Sequence, residues 1–153
     1  MAAVCMAYVG IATMSRLSMP VASTKQTRKD FIAWVDAYLK GDVSQPYQYR
    51  GIDVYAARCA VLHTYGVDAD LHQTDPSILR FGYHDGGRHA FDVAVDPGFI
   101  VIGTASFLND VVHAISDFMN ACQADPNLRS LVEARLPSML QTFSVASSAS
   151  RIG

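Results

Sequence analysis

The sequence lacks an excess of positive charge, which limits what the molecule as a whole can attract. Its 12 Lys and Arg residues face 14 Asp and Glu residues, and the formal net charge is −2. Proteins that hold nucleic acid through their overall field are strongly basic. Any contact with RNA or DNA must therefore be local, at a small group of residues.

Cysteine is also scarce. The three cysteines, Cys5, Cys59 and Cys122, lie far apart, and each stands among apolar residues. An odd number of widely spaced cysteines fits neither a disulfide framework nor the spacing of a metal site. We therefore expect three buried, reduced thiols in a cytoplasmic protein.

No apolar run is long enough to span a bilayer, which needs about 20 residues. The most apolar stretch, residues 1–14, has no Lys or Arg ahead of it. A secretory signal carries a positive region before its apolar core. We expect residues 2–17 to form a buried helix of the domain, with no membrane contact. A cleaved signal peptide on a small secreted domain is the alternative.

The motifs of several enzyme classes are missing. The chain has no Gly-rich phosphate loop between a strand and a helix, and no nucleophile elbow. His84 and His89 flank the turn Asp85-Gly86-Gly87 and could face each other near Asp92. Zinc prefers three or four converging ligands. We therefore expect neither a metal nor another cofactor.

What the sequence does contain is helical periodicity over most of its 153 residues, a length that suits one domain. After the first helix, a capping box at Thr27 and Asp30 predicts a second one that ends before Gly41. Further helices are predicted at about 51–64, at about 106–123, and from Pro126 toward Pro137.

Between the helices, the spacing of apolar residues changes from helical to alternating. In residues 78–95, apolar residues occupy every second position on both sides of the Asp-Gly-Gly turn, which predicts a β-hairpin. Residues 99–102 suit a third short strand. We predict a mainly α fold, a helical bundle of about five helices with a small antiparallel β-insert at about 77–102. The domain should cover residues 1–143, followed by a flexible polar tail at 144–153.

Arg58 and His63 stand out in the third helix because the surrounding segment, residues 54–66, is mostly small and apolar. Residues five apart on a helix point about 140° away from each other, so one helix does not bring the two together. The slim side formed by Ala56, Ala57 and Ala60 would let a second copy approach. We therefore expect a homodimer through this helix, in which each Arg58 meets a histidine of the other chain.

A structural role for the pair is the alternative. Arg58 would then form an ion pair with Asp53 or another carboxylate, and His63 would cap the last carbonyl groups of the helix.

The loop before the third helix holds a second group of candidates. Tyr47, Tyr49 and Arg50 could stack on and pair with a nucleic acid. Alternatively, the two tyrosines form a lid over the core.

An arginine followed after four to six residues by a histidine, late in a helix of a small helical domain, resembles the motif of the HEPN superfamily (higher eukaryotes and prokaryotes nucleotide-binding domain). The segments 10–14, 30–39 and 54–64 also resemble segments that occur in the same order in a group of HEPN-like bacterial proteins. The resemblance covers roughly residues 5–135 and is most specific at residues 55–64.

This resemblance implies a dimeric, metal-independent ribonuclease of the toxin or defence type, with an antitoxin as a possible partner. By that match, Arg58 stabilises charge on the phosphate and His63 acts as general acid or base. Other HEPN proteins are non-catalytic modules for dimerisation or for binding nucleotides or RNA, which is the alternative function. Cys59 takes a position that is often polar in active members, and the β-insert is unusual for the superfamily.

Overall fold

The computed structural model describes residues 1–139, apart from the side chain of Thr64, and the chain forms six helices and two strands in that range. The mainly α fold is confirmed, with one short helix, Asp70–Thr74, in addition to the helices that were predicted. The predicted tail and the last residues of the predicted domain lie outside the described range. The elements are α1 (Ala2–Leu17), α2 (Arg28–Tyr38), α3 (Gly51–Thr64), α4 (Asp70–Thr74), β1 (Arg80–His84), β2 (Phe99–Gly103), α5 (Thr104–Ala124) and α6 (Pro126–Met139).

Local hydrogen bonds explain where two of the helices begin. The Thr27 hydroxyl accepts the Asp30 N–H at 3.3 Å, and the Asp30 carboxylate accepts the Thr27 N–H at 2.7 Å, so the predicted capping box is confirmed. At the start of α6, the Asp125 carboxylate accepts the Asn127 N–H at 2.8 Å, and Pro126 occupies the first helical position.

Helix α1 lies in the middle of the helical packing, because it contacts α2, α3, α5 and α6. It buries Tyr8 and Ile11 completely but leaves Met6 67% exposed. The expected buried helix is therefore confirmed, with one edge open to solvent. None of the helices between residues 1 and 139 has the length and apolarity that crossing a membrane requires. The cysteines Cys5, Cys59 and Cys122 are free but only half buried, so the expectation of full burial was wrong.

The antiparallel hairpin predicted for residues 78–95 was wrong. Strand β1 pairs in parallel with β2, with Arg80 opposite Phe99 and His84 opposite Gly103. Of the predicted second arm, only Ala90 pairs, through one antiparallel bridge to Val101. The third short strand predicted at 99–102 is therefore the true partner of β1.

Asp92 explains why the second arm does not form. Its carboxylate accepts the Ala94 N–H at 3.0 Å, and its carbonyl accepts the Val95 N–H at 3.1 Å and the Asp96 N–H at 3.0 Å. These bonds start a turn where the hairpin would have continued. The chain then reverses and enters β2 alongside β1.

Candidate functional site on helix α3

Helix α3 begins in direct contact with α2. The Gly51 N–H donates to the Asp36 carboxylate at 2.7 Å, and a Cβ at position 51 would lie 2.7 Å from the Ile32 carbonyl oxygen. Only glycine allows this close approach of the two backbones. The contact fixes the start of the helix that carries Arg58 and His63.

The same helix ends at a left-handed residue. Tyr65 has φ 53° and ψ 23°, and its N–H donates to the Val61 carbonyl at 3.2 Å. The next N–H, of Gly66, reaches back to the Ala60 carbonyl at 3.4 Å, as in a Schellman ending. The left-handed position thus belongs to Tyr65, two residues after His63, and not to the glycine that follows it.

One side of α3 is incompletely covered by the rest of the chain. Tyr55, Cys59 and Leu62 are half buried there, and we call these three residues the open face of α3. At about 100° per residue, Arg58 lies beside Leu62 on one edge of this face and His63 lies beside Cys59 on the other. The two candidate residues therefore flank the open face and do not meet within one chain.

The alanine side of α3 is not free. Ala56, Ala57 and Ala60 are 0%, 1% and 1% exposed, because α1, α2 and β1 pack against this helix. The expectation that a second copy approaches along these alanines was wrong, since their small size serves packing inside the chain. A second copy would have to use the open face.

Arg58 is held without a carboxylate partner in the described part of the chain. Its Nε is buried and has no hydrogen-bond partner, and its Nη1 lies 4.0 Å from the Cys59 sulfur. Asp53, which was considered as its partner, forms an ion pair with Arg50 instead. His63 is exposed, and within residues 1–139 no hydrogen bond or ion pair engages its side chain.

Arg50 and Tyr47, predicted to contact RNA, take part in a network around Asp53, a fully buried residue. Arg50 donates to the two Asp53 oxygens at 2.6 and 2.7 Å, and Tyr47 donates to Asp53 at 2.9 Å. The Leu79 N–H donates to the same carboxylate at 2.9 Å and ties the segment before β1 to α3. Burial raises the pKa of the Tyr47 hydroxyl, so Tyr47 stays a donor. Its ring faces the core and offers no surface on which a base could stack.

Tyr49, the third RNA-binding candidate, lies in a second network that sequence reasoning missed. Its hydroxyl donates to the Asp110 carboxylate at 3.0 Å and lies 3.0 Å from Nε2 of His89. Nδ1 of His89 accepts the Gly103 N–H at 3.1 Å, so Nε2 carries the ring proton and donates to Tyr49. Both tyrosines are thus buried over the core, as expected if they form a lid.

The sequence held one signal for this network. Asp110 falls between Phe107 and Val111 on the buried side of α5, where an acidic residue needs a partner. Burial raises the pKa of Asp110 and lowers the pKa of His89, so the histidine is neutral in the folded chain.

The two histidines considered as metal ligands turn to different places. His84 bonds locally, accepting the Gly86 N–H at 3.0 Å and lying 2.8 Å from the Arg88 carbonyl oxygen, whereas His89 points into the core. Between residues 1 and 139, no three His, Cys, Asp or Glu side chains come together as a metal would require.

The site on α3 therefore consists of a partly buried cation, an exposed imidazole and an apolar stripe between them. An arginine can hold two phosphate oxygens, and an imidazole can carry a proton near neutral pH. Comparison with known proteins adds no relative from which a role could be carried over. No protein-family model, no curated protein and no solved structure matches this chain.

Proposed function

We propose that this protein is a metal-independent endoribonuclease whose active site is shared by two copies of the chain, with Arg58 from one protomer and His63 from its partner. A toxin or defence role, with an antitoxin that neutralises it, belongs to the same proposal. Because Arg58 supplies charge and His63 moves protons, this chemistry requires no metal.

The unneutralised guanidinium of Arg58 carries the proposal. Its buried Nε lacks an acceptor in the described part of the chain, and Asp53 is bound to Arg50. A buried donor without a partner costs about 1–3 kcal/mol, but Trp34 Nε1 shares this lack within residues 1–139, so the proposal rests on a permanent charge that has no counter-ion there. A phosphate group would pair with the terminal nitrogens of this partly buried side chain, because Nε itself is closed to solvent.

RNA brings its own nucleophile to such a site. His63 removes the proton of a ribose 2′-hydroxyl, the 2′-oxygen attacks the adjacent phosphorus, and the bond from phosphorus to the next 5′-oxygen breaks as that oxygen takes up a proton. Arg58 offsets the charge that grows on the phosphate oxygens. The products are a 2′,3′-cyclic phosphate and a 5′-hydroxyl, and DNA is not cleaved.

Two copies are needed because Arg58 and His63 lie on opposite edges of the open face. When two roughly parallel α3 helices pack around a two-fold axis, opposite edges meet, and Arg58 faces the partner's His63. The two positions differ by about 7.5 Å along the helix axis. The long arginine side chain spans that distance.

Cleavage of total RNA in the presence of a chelator tests the chemistry. Arg58→Ala should lower the rate about a hundredfold or more, and His63→Ala by about 10²–10⁴-fold, without lowering the melting temperature. Arg88→Ala and His113→Ala are matched controls, because both residues are exposed and lie away from α3. These controls should cleave like the wild type, and the products should carry the ends given above.

Mixing the two inactive variants tests the shared site. If Arg58→Ala and His63→Ala chains are refolded together, half of the dimers are mixed, and each mixed dimer keeps one intact site of two. The mixture should therefore recover about a quarter of the wild-type rate. Loss of activity that mixing does not restore would contradict a shared site.

Cleavage that survives both substitutions would overturn the proposal. If the wild type does not cleave RNA and both variants melt at lower temperature, the pair is structural and the non-catalytic module of the same fold becomes the function.

A further inference from the structure

Residues 89–96 form an irregular segment along the edge of β2 that faces away from β1, and we call this segment the strap. The alternation of its sequence predicted a strand, but only Ala90 pairs, through the bridge to Val101. Phe91 is half buried, whereas every residue from 92 to 95 is exposed. Burial therefore does little to hold most of the strap in place.

The strap satisfies the three N–H groups that β2 directs away from β1. The Val101 N–H donates to the Ala90 carbonyl at 2.9 Å, and the Gly103 N–H donates to Nδ1 of the His89 ring at 3.1 Å. The Phe99 N–H donates to the last carbonyl group of the strap at 3.4 Å. The strap thus covers a sheet edge that would otherwise be open to pairing with a further strand.

His89 is the buried anchor of the strap. It is 2% exposed, its backbone N–H donates to the Gln45 side chain at 2.9 Å, and its Nε2 lies 3.0 Å from the Tyr49 hydroxyl. Since Nε2 carries the ring proton and Nδ1 accepts the Gly103 N–H, both ring nitrogens are occupied. A second ring proton has to bind at Nδ1, where it meets the Gly103 N–H and breaks that bond.

The surroundings of the ring do not favour a positive charge on it. Within residues 1–139 no carboxylate bonds to the ring, because the Tyr49 hydroxyl stands between it and Asp110 of α5. Burial, and after it the nearby His84, lower the pKa of His89. The titratable and charged side chains on the elements packed around the ring are Asp42, Tyr47, Tyr49, His84, Arg88 and Asp110.

We propose that His89 is an acid-sensitive latch: a proton on its Nδ1 releases the strap and uncovers the outer edge of β2, while the rest of the fold stays in place. The pairing of β2 with β1 lies on the other side of the strand and does not involve the histidine. The uncovered edge presents N–H groups to a further strand, so acid prepares the sheet for pairing. This inference is independent of the proposed ribonuclease chemistry.

Amide hydrogen exchange, followed by NMR at about pH 7 and about pH 5, tests the latch within a single strand. The protection of the Val101 and Gly103 N–H groups should fall by up to about 25-fold, the limit for a histidine of ordinary pKa 6.5 that is charged only when the strap is open. The Ile100 and Ile102 N–H groups face β1, because successive N–H groups of a strand point in opposite directions. They should keep their protection. Each rate is compared with that of an unstructured peptide at the same pH, so that the effect of pH on the exchange chemistry cancels.

His89→Asn is the decisive variant, because its amide oxygen can accept the Gly103 N–H and does not take up a proton. In acid, its Val101 N–H should lose no more protection than its Ile102 N–H. His113→Asn, at an exposed position on α5, is the matched control and should show the wild-type loss.

A titration of the wild-type His89 ring by NMR keeps the test open if the His89 variant does not fold. The ring should titrate below its ordinary pKa of 6.5, and the Gly103 amide resonance should change with the same midpoint.

Three results would overturn the latch. Equal loss of protection at the N–H groups on both sides of β2 would mean that acid unfolds the whole sheet. Val101 and Gly103 N–H groups that stay protected while the His89 ring takes up its proton would show that the ring does not hold the strap. A His89→Asn protein that loses protection as the wild type does would place the acid-sensitive group elsewhere.

Discussion

At the scale of single residues, Tyr65 carries backbone strain beside His63. It is the non-glycine residue with positive φ in the described chain, and its side chain is 78% exposed, so packing does not compensate for the strain. A side chain in the left-handed region costs roughly 1–2 kcal/mol relative to glycine. Strain of this kind gathers at functional sites, which agrees with its position next to the candidate site.

Tyr65→Gly should therefore stabilise the protein. We expect the free energy of unfolding to rise by about 1 kcal/mol, since glycine relieves the strain but is freer in the unfolded chain. Urea unfolding at neutral pH measures the change. Tyr65→Ala removes the same side chain but keeps the strain, so a glycine variant no more stable than the alanine variant would contradict this account.

At the scale of elements, a buried hydrogen-bond chain joins the end of β2 and the second turn of α5 to the loop before α3. It runs from the Gly103 N–H through His89 and Tyr49 to Asp110. His89 accepts through Nδ1, so a proton there would set two N–H groups against each other. The fold therefore requires neutral His89.

This requirement gives the stability a pH dependence of known sign. Burial, together with the nearby His84, lowers the pKa of His89 below its ordinary 6.5, so the unfolded chain takes up a proton first as the pH falls. The free energy of unfolding should decrease as the pH falls below about 6.5 toward the lowered pKa. Asp110 acts in the opposite direction and at lower pH, because burial raises its pKa above the ordinary 3.8 and the folded carboxyl is protonated first.

His89→Asn tests this dependence, because the amide oxygen can accept the Gly103 N–H but does not titrate. We expect a lower free energy of unfolding at pH 7, by about 1–3 kcal/mol, and a flatter decline between about pH 7 and pH 5 than in the wild type. His113→Asn, at an exposed position on α5, serves as control and should keep the wild-type decline. Equal declines in the wild type and in the His89 variant would show that another group dominates.

Helices were easier to predict than the sheet, for a physical reason. The capping box at Thr27 and the proline at the start of α6 act through neighbours in sequence, so their effect is readable along the chain. Alternation of apolar residues shows that a segment is extended but not which segment it pairs with. The turn at Asp92 decides that pairing. The local hydrogen bonds that form this turn occur in ordinary loops as well, so the sequence does not identify it.

In the candidate site, too, local features were predictable from the sequence and tertiary contacts were not. The helical spacing of Arg58 and His63 sufficed to predict that one chain does not bring them together. The sequence did not allow us to predict which side of α3 is free. Small residues such as Ala57 suit an intermolecular contact and an intramolecular one equally well. Tyr49 and His89 are 40 residues apart, and only the tertiary fold joins them.

At the scale of the whole molecule, a shared site requires a dimer through the open face of α3. Leu62 is half buried there, between Arg58 and the start of the next loop. Leu62→Arg should convert the dimer to a monomer at micromolar concentration, because a charge at the centre of an apolar contact is left without a partner. Sedimentation velocity measures the state of the protein.

Val112→Arg is the control for that change, since Val112 is 60% exposed on α5 and lies outside the open face. It should leave the dimer intact. A wild type that sediments as a monomer would remove the shared site, and a Leu62 variant that stays dimeric would place the contact elsewhere.

The burial of α1 has a consequence for synthesis on the ribosome. The apolar residues of α1 are made before α5 and α6, which are two of the helices that cover them, and Arg135 of α6 donates to the Met19 carbonyl across 116 residues of sequence. Contacts between such distant positions form late, because the loop between them must close first. Helices α2 and α3 can pack on α1 early, but the native cover of α1 is complete only after α6 has been translated and has left the exit tunnel.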